Sequence, residues 1–290
     1  MSATSAAPAL PVSERRARRP STFTVYRWEL RKLARQKRTY LGFAFVCALP
    51  LIFVTVENIH QHEGHRDNIF ATQITQSGLA TPVLMLLFLS VFMLPLIAAL
   101  VAGDIVANED GNGTLKTILT RSVDRGQVFT AKVLAAASYA IAAVFLSAAV
   151  ATVAGIISWG FHSITTFSGT VVSAPKGLLL VVAANACFLI PLLAVVCFGV
   201  MLSTVTRNSA AAVVGTVGFI ILLLIVGQIP GLESIRPYLL NEQFENWHGL
   251  LRTPTDWAPI GHSAWVCALY AVPSLVAGYL MFLRRDVAGG

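Results

Sequence analysis

The stretch VLAAASYAIAAVFLSAAVATVAGIISW, residues 133–159, contains no charged side chain. Because an α-helix rises about 1.5 Å per residue, about 20 apolar residues cross the ~30 Å hydrocarbon core of a bilayer. This stretch is therefore long enough to cross a membrane at a tilt. Five other stretches meet the same requirement: residues 40–56, 81–102, 178–205, 209–229 and 262–283. The sequence predicts an all-α membrane protein whose six transmembrane helices lie within a domain of residues 40–290.

The composition of the whole chain also indicates a membrane protein. Of its 290 residues, 56% are hydrophobic and 12% are charged, and its mean hydropathy is +0.70. Soluble domains carry about 25% charged residues, so roughly half of that charge is missing here. The four cysteines all fall inside predicted spans, without the spacing of a disulfide framework or a zinc site. A soluble enzyme and a disulfide-rich secreted domain are both excluded as classes.

None of the six predicted spans has Asp, Glu, Lys or Arg in its interior. Ion-coupled carriers and intramembrane enzymes keep ionisable side chains within the bilayer, where such groups are costly and functional. We therefore expect no enzyme activity and no energy coupling in this chain itself. If it transports, a partner must supply the energy, and a secondary carrier is the alternative that these spans argue against.

Three residues inside the spans are candidates for a substrate path or gate: Pro95, Asn185 and Pro191. A proline kinks a transmembrane helix and frees a backbone carbonyl, which can line a cavity. Ordinary bundle geometry is the alternative explanation for the prolines. For Asn185, a hydrogen bond between helices is favoured over a substrate contact.

Basic residues predict the orientation of the chain in the membrane. With the N-terminus inside, 17 of the 21 Lys and Arg residues face the cytoplasm and four face outside. This asymmetry follows the positive-inside rule. We therefore expect a multi-pass protein of the cell membrane with both termini and residues 103–132 in the cytoplasm. Anionic lipids of the inner leaflet account for the net charge of +7 without a nucleic-acid partner.

The residues before the first span divide into a disordered basic tail, residues 1–22, and an interfacial amphipathic helix, residues 23–39. Within that helix, Tyr26, Leu30 and Leu33 recur every three or four residues, and most basic side chains lie elsewhere around it. A basic amphipathic helix beside a membrane lies flat in the interface. It either anchors the chain in lipid or also offers a platform to a cytoplasmic partner.

The segment between the second and third spans, GDIVANEDGNGTLKTILTRSVDRGQVFTAK, holds eight of the 35 charged residues. Two glycines are expected to turn the chain before a short helix over residues 114–121. Leu115, Ile118 and Leu119 would share one face of that helix, because residues three and four apart lie side by side. An apolar ridge on a short helix outside the bilayer predicts docking on a partner.

The charged and glycine positions of this segment form a recognisable pattern. The spacing D-x4-E-x3-GTL-x3-L-x2-S-x2-R-x6-K is met by Asp104, Glu109, Gly113, Thr114, Leu115, Leu119, Ser122, Arg125 and Lys132. It resembles the cytoplasmic motif of the ABC-2 type permease family, the membrane subunits of ATP-binding-cassette exporters. The six spans, the amphipathic helix and the cytoplasmic termini extend the resemblance over the whole chain. One departure is Asp124, in SVDR, where many members carry PxSR.

The resemblance implies that the segment holds a coupling helix, which sits in a cleft of a separate ATPase subunit. It implies an ATPase-coupling interface of eight residues: Glu109, Gly113, Thr114, Leu115, Ile118, Leu119, Arg121 and Arg125. It also implies a unit of two ATPase subunits and two permeases, the second permease being a copy or a paralogue of this chain. ATP and Mg would bind to the ATPase, so no cofactor is expected in this chain.

The expected function is export, because members of that family export drugs, peptide antibiotics, lipids or glycans. The substrate class would be a hydrophobic or amphipathic small molecule, peptide or lipid. Two alternatives stay open. One is a permease serving copper-enzyme maturation or metal-linked transport, and the other is a membrane scaffold or sensor that transports nothing.

Two loops on the predicted outer side bear on these alternatives. The loop after the first span carries His60, His62 and His65, which are metal ligands by type, although a solvated histidine-rich loop is the simpler interpretation. The loop over residues 230–261 is rich in aromatic and leucine side chains. Such a stretch is expected to pack at the outer interface, where it would form a lid over an exit.

Overall fold

The computed structural model describes residues 20–62, 77–90, 92–113 and 123–284 of the chain, and most of them are helical. The α-helices are α1 Thr22–Leu33, α2 Lys37–His62, α3 Ala80–Ser90, α4 Met93–Asp104, α5 Ala107–Gly111, α6 Arg125–Trp159, α7 Ala174–Thr206, α8 Ser209–Gly227 and α9 Ala258–Leu283. A two-stranded antiparallel hairpin pairs β1 Ile164–Thr165 with β2 Val171–Val172. Two 3₁₀ helices, Arg236–Tyr238 and Glu242–Leu251, precede α9, and the longer one is called the cap helix below.

Five helices are long and apolar enough to cross a membrane, namely α2, α6, α7, α8 and α9. Helices α3 and α4 are long and apolar enough to cross a membrane only when they are taken together. The two helices are bent by 61° at the break between them. Two helices, bent against each other, thus occupy the residues 81–102 that were predicted as one span. The chain is an all-α protein of the multi-pass membrane type, with six spans if the bent pair counts as one.

The N-terminal helix is shorter than the 23–39 predicted from the sequence. Ser21 caps α1 by accepting a hydrogen bond from the backbone N–H of Thr24 at 3.3 Å. The helix ends at Leu33, and the chain turns before α2 begins at Lys37. Val25, Glu29 and Leu33 are buried at a spacing of four, so one stripe of α1 packs against α6.

Contacts between helix ends show that α6 runs antiparallel to both α3 and α9. At one end of the bundle, called the α1 end, Arg125 at the start of α6 donates to the carbonyl of Leu283 at the end of α9, at 2.8 Å. At the other end, called the hairpin end, the N–H of Gly78 before α3 donates to the carbonyl of Gly160 after α6, at 3.1 Å. The α1 end therefore gathers α1, the start of α6 and the end of α9.

Helix α7 is the centre of the bundle, because it packs against α4, α6, α8, α9 and the cap helix. Half of its most apolar stretch is buried, compared with 17% in α8 and 22% in α2. Small residues and the aromatic ring of Phe188 fill this centre. Helices α2 and α8 are therefore peripheral and present apolar faces outward.

The loop over residues 230–261 packs into the bundle as well as covering it. Phe244 lies against Phe188 of α7 with ring centroids 5.2 Å apart, and Trp247 is 2% exposed. The carbonyl of Leu251 accepts a hydrogen bond from the N–H of Phe167 at 3.1 Å, which ties the cap helix to the hairpin. Tyr238 and Trp257 stay exposed, whereas the buried leucine and aromatic side chains of the loop belong to the core: Leu239, Leu240, Phe244, Trp247, Leu250 and Leu251.

Candidate functional site

Four charged side chains meet at the α1 end in a group called the four-charge cluster, made of Glu29, Lys32, Glu109 and Lys132. The Nζ of Lys132 lies 3.2 Å from Glu29 Oε2 and 2.6 Å from Glu109 Oε2. The Nζ of Lys32 lies 3.1 Å from Glu29 Oε1 and also pairs with Glu109. The cluster therefore joins α1, α5 and α6, which are far apart in sequence.

The cluster is largely removed from solvent. Lys132 is completely buried, while Glu29 is 4% and Glu109 is 8% exposed. Two ammonium and two carboxylate groups balance to zero net charge, which offsets the cost of taking them out of water. An ammonium has three N–H donors, and those of Lys132 have Glu29, Glu109 and the carbonyl of Ile105 at 3.1 Å as acceptors. Removing one member would leave an uncompensated buried charge.

The partly exposed member, Lys32, stays protonated. Burial disfavours its charged form, but the carboxylates of Glu109 and Glu29 outweigh that cost and raise the pKa of Lys32 above its ordinary value. Lys32 therefore carries a positive charge through the physiological range and keeps the cluster neutral.

A second polar group lies beside the cluster, where α4 ends. Asp104, which is 5% exposed, pairs with Arg38 at the start of α2 and accepts a hydrogen bond from Ser209 at the start of α8. Two residues further on, Ser203 of α7 accepts from the N–H groups of Val106 and Ala107, at 3.1 and 2.9 Å. The turn between α4 and α5 is thereby fixed to three other helices.

The predicted ATPase-coupling residues divide into three that the structure describes and five that lie outside the described residues. Glu109 is in the four-charge cluster, and Arg125 braces α6 against α9. Gly113 has a φ of 68°, the left-handed conformation that glycine adopts most readily, so it turns the chain after α5. The predictions for Thr114, Leu115, Ile118, Leu119 and Arg121 fall outside the described residues.

A large cavity of about 830 Å³ lies near these groups, between α2, α4, α6 and α8. None of the predicted path residues lines it. Pro95 is buried in the first turn of α4, directly after the bend, and Pro191 is buried within the continuous helix α7. Asn185 donates to the carbonyl of Val181 in its own helix at 2.8 Å, whereas a hydrogen bond between helices was expected.

The histidine loop is only partly described. His60 is exposed in α2, the side chain of His62 is not described, and His65 lies outside the described residues. Within the described ranges, no group of three or more His, Cys, Asp or Glu side chains is arranged to hold a metal ion. In the cap helix, burial and the nearby Arg252 lower the pKa of His248 below its ordinary value, so this side chain is neutral at physiological pH.

Sequence reasoning missed Glu29 and Lys32, although a signal for Glu29 was present. Positions 20–40 contain six basic residues and one acidic residue, Glu29. It also lies four residues after Val25 and four before Leu33, on the stripe that is buried. A lone acid on the apolar stripe of a basic helix indicates a buried ion-pair partner.

Comparison with known proteins gives a family match and no characterised relative. Residues 51–288 match the model of a family described as "Protein of unknown function (DUF2705)". The matched range includes α2 from its middle onward, the whole of α3 to α9 and the cap helix. The comparison with curated proteins finds no match.

Proposed function

This chain belongs to the DUF2705 family of proteins of unknown function, and we propose that it is the transmembrane permease subunit of an ATP-binding-cassette exporter of the ABC-2 type. In this proposal it lies in the cell membrane with both termini in the cytoplasm. It pairs with a second permease and with two ATPase subunits, which bind ATP and Mg and perform the hydrolysis. The exported substrate is a hydrophobic or amphipathic small molecule, peptide or lipid.

The observation that carries the proposal is that described residues on both sides of positions 114–122 are held by the bundle. On the N-terminal side, Glu109 is held by Lys132 and Lys32. On the C-terminal side, Arg125 is held by the carbonyl of Leu283. A segment that docks on an ATPase must pass displacement to the spans, and firm attachment at both ends is what such transmission requires.

The same contacts extend to the helices around the large cavity. Asp104 at the end of α4 connects to α2 through Arg38 and to α8 through Ser209. Movement of the turn between α4 and α5 would therefore act on three of the four helices that border the cavity. This arrangement supports a permease in which the ATPase drives rearrangement of a membrane-embedded cavity, because packed interfaces switch between discrete arrangements.

The test is whether the segment binds an ATPase. The variant Leu119→Asp would bury an unpaired charge in the proposed apolar cleft. Anchors at an interface centre contribute about 2 kcal/mol or more, so we expect about 30-fold weaker association. The measurement is co-purification of the tagged full chain from native membranes, with mass-spectrometric identification of any ATP-binding-cassette ATPase and assay of its ATP hydrolysis.

The matched control is Thr117→Asp, which introduces the same charge on the opposite face of the predicted helix. This control is expected to retain the ATPase. Full retention of ATPase and of substrate-stimulated hydrolysis by Leu119→Asp would contradict the proposal. Retention of ATPase by the wild-type chain without any ATP-dependent transport would instead favour the scaffold alternative.

A further inference from the structure

The large cavity between α2, α4, α6 and α8 has the size and shape of a ligand site. Its volume of about 830 Å³ falls within the ~300–1,000 Å³ of pockets that hold drug-sized ligands. Leu41, Phe45, Leu100 and Val214 line it and are 43 to 72% exposed, so the cavity opens sideways onto the outward faces of α2 and α8. An apolar chain could therefore enter it from the bilayer.

The end of the cavity nearest α1 is polar and carries a cation with spare hydrogen-bond donors. Arg38 lines this end together with Asp104 and Ser209, and its side chain is 36% exposed. A guanidinium has five N–H donors. One N–H each from Nε and Nη2 is directed at Gln36, and Nη1 pairs with Asp104. Two N–H groups remain to bind an anion, and phosphate is a preferred partner of arginine.

Basic side chains outnumber acidic ones around this end, where the carboxylate of Asp104 pairs with Arg38 and Asp110 lies 3.9 Å from Arg207. Arg35 and Lys37 are exposed directly before Arg38, and Arg207 at the end of α7 is 66% exposed in its side chain. Anionic lipid headgroups are attracted to such basic clusters beside a membrane.

A hydroxyl that lines the cavity is the second, independent indication of a ligand. Tyr139 of α6 lines the cavity and is 5% exposed, yet its hydroxyl has no hydrogen-bond partner within the described residues. Gly42 of α2 leaves space for this hydroxyl, because a side chain at that position would collide with it. A hydroxyl without a protein partner in a largely apolar cavity lacks a hydrogen bond, and a ligand oxygen would supply one.

The two polar features lie one after the other along α2. Gly42 is four residues after Arg38 on α2, so the Tyr139 hydroxyl lies beside a backbone position about one helical turn, or ~6 Å, further along the helix than that of Arg38. In a glycerophospholipid the ester carbonyls lie just below the phosphate, and the acyl chain continues from them. The order of the cavity from its polar end is likewise a cation, a hydroxyl donor and apolar walls.

We propose that this cavity binds one anionic glycerophospholipid of the surrounding membrane. The phosphate lies on the free N–H groups of Arg38, Tyr139 donates to an ester carbonyl, and one acyl chain fills the space beside Leu100 and Val214. This site does not depend on the proposed transport function, because it needs neither ATP nor an ATPase.

The experiment uses the purified full chain in phosphatidylcholine vesicles that contain phosphatidylglycerol with a photoreactive acyl chain. We expect saturable labelling of peptides from α2 and α8, displaced by unlabelled phosphatidylglycerol at least 10-fold better than by phosphatidylcholine. The variant Ala210→Phe places a ring in the cavity and should lower labelling at least five-fold. Ala211→Phe, on the neighbouring exposed position outside the cavity lining, should label as the wild type does.

A further variant, Arg38→Gln, should abolish the preference for phosphatidylglycerol while leaving chain labelling by phosphatidylcholine in place. Equal labelling of Ala210→Phe and wild type, or equal displacement by the two lipids, would overturn the proposal. A crosslink from Val214→Cys to a second copy of the chain would also overturn the proposal, since the occupant of the cavity would then be another protomer. If Arg38→Gln does not fold, the Ala210→Phe and Ala211→Phe pair decides the outcome alone.

Discussion

At the scale of single residues, Lys132 combines complete burial with three acceptors from three parts of the chain. Its position in the motif was recognisable from the sequence, but its role was not. Buried ion pairs contribute little net stability compared with apolar packing, yet they specify one arrangement of the elements they join. Lys132 therefore fixes the position of α1 and α5 on α6.

We expect Lys132→Met to destabilise the protein by about 3–5 kcal/mol, because it leaves two buried carboxylates with Lys32 as their one cation. Reversible unfolding in mixed detergent micelles measures the change. The control Lys176→Met removes an exposed lysine at the start of α7 and should be nearly neutral. Combining Lys132→Met with Glu29→Gln restores neutrality and should recover part of the loss. Equal free energies of unfolding for Lys132→Met and Lys176→Met would show that the cluster is not buried as described.

At the scale of elements, the crossing of α3 and α6 depends on two glycines that touch. A side chain on Gly78 would collide with the backbone of Gly155, and a side chain on Gly155 would collide with Gly78 and Thr81. Small residues at a crossing let helix backbones approach closely inside a membrane. The approach also positions the start of the bent pair against the hairpin end.

The variant Gly155→Val should destabilise the bundle by about 1–3 kcal/mol or more, since the backbone opposite cannot move aside as a flexible side chain could. Gly218→Val is the matched control, because Gly218 lies in α8 with open space around its Cα. Both substitutions change helix propensity equally, so their difference isolates the crossing. Thermal unfolding followed by size-exclusion chromatography compares them, and identical midpoints would refute a tight crossing.

At the scale of the whole molecule, the two ends differ in their number of basic residues. The α1 end carries the four-charge cluster, the Arg38 and Asp104 pair and the exposed Arg207. The hairpin end within the described ranges carries few basic residues, among them the exposed Lys176. The positive-inside rule therefore predicts the α1 end in the cytoplasm.

Single-cysteine labelling tests that orientation in a background without the four native cysteines. A membrane-impermeant maleimide applied to intact cells should modify Lys176→Cys and spare Arg207→Cys until the cells are opened. Both positions are exposed in the fold, so accessibility reports the side of the membrane and not burial. Labelling of Arg207→Cys but not of Lys176→Cys in intact cells would show the opposite orientation. The α1 end would then lie outside the cytoplasm, where the proposed ATPase could not contact it.

The sequence by itself determined the membrane-spanning helices, because hydropathy is a property of each stretch on its own. Helices α2, α6, α7 and α9 include the stretches predicted for four spans, and α8, Ser209–Gly227, covers all but the last two residues of the span predicted over 209–229. The turn at Gly113 was also predictable, since glycine is the residue that adopts a positive φ at least cost. The charged residues Glu109 and Lys132 were visible as parts of a motif, although their pairing was not.

Only the tertiary structure decided which distant residues meet. Glu29 and Lys132 are 103 positions apart, and their ion pair depends on α1 packing against α6. The bend between α3 and α4 arises within a stretch of continuous high hydropathy, so composition alone did not reveal it. The cavity belongs to no single stretch, because it is the space left between four helices. Pairing and empty space depend on neighbours in three dimensions, whereas hydropathy depends on neighbours along the chain.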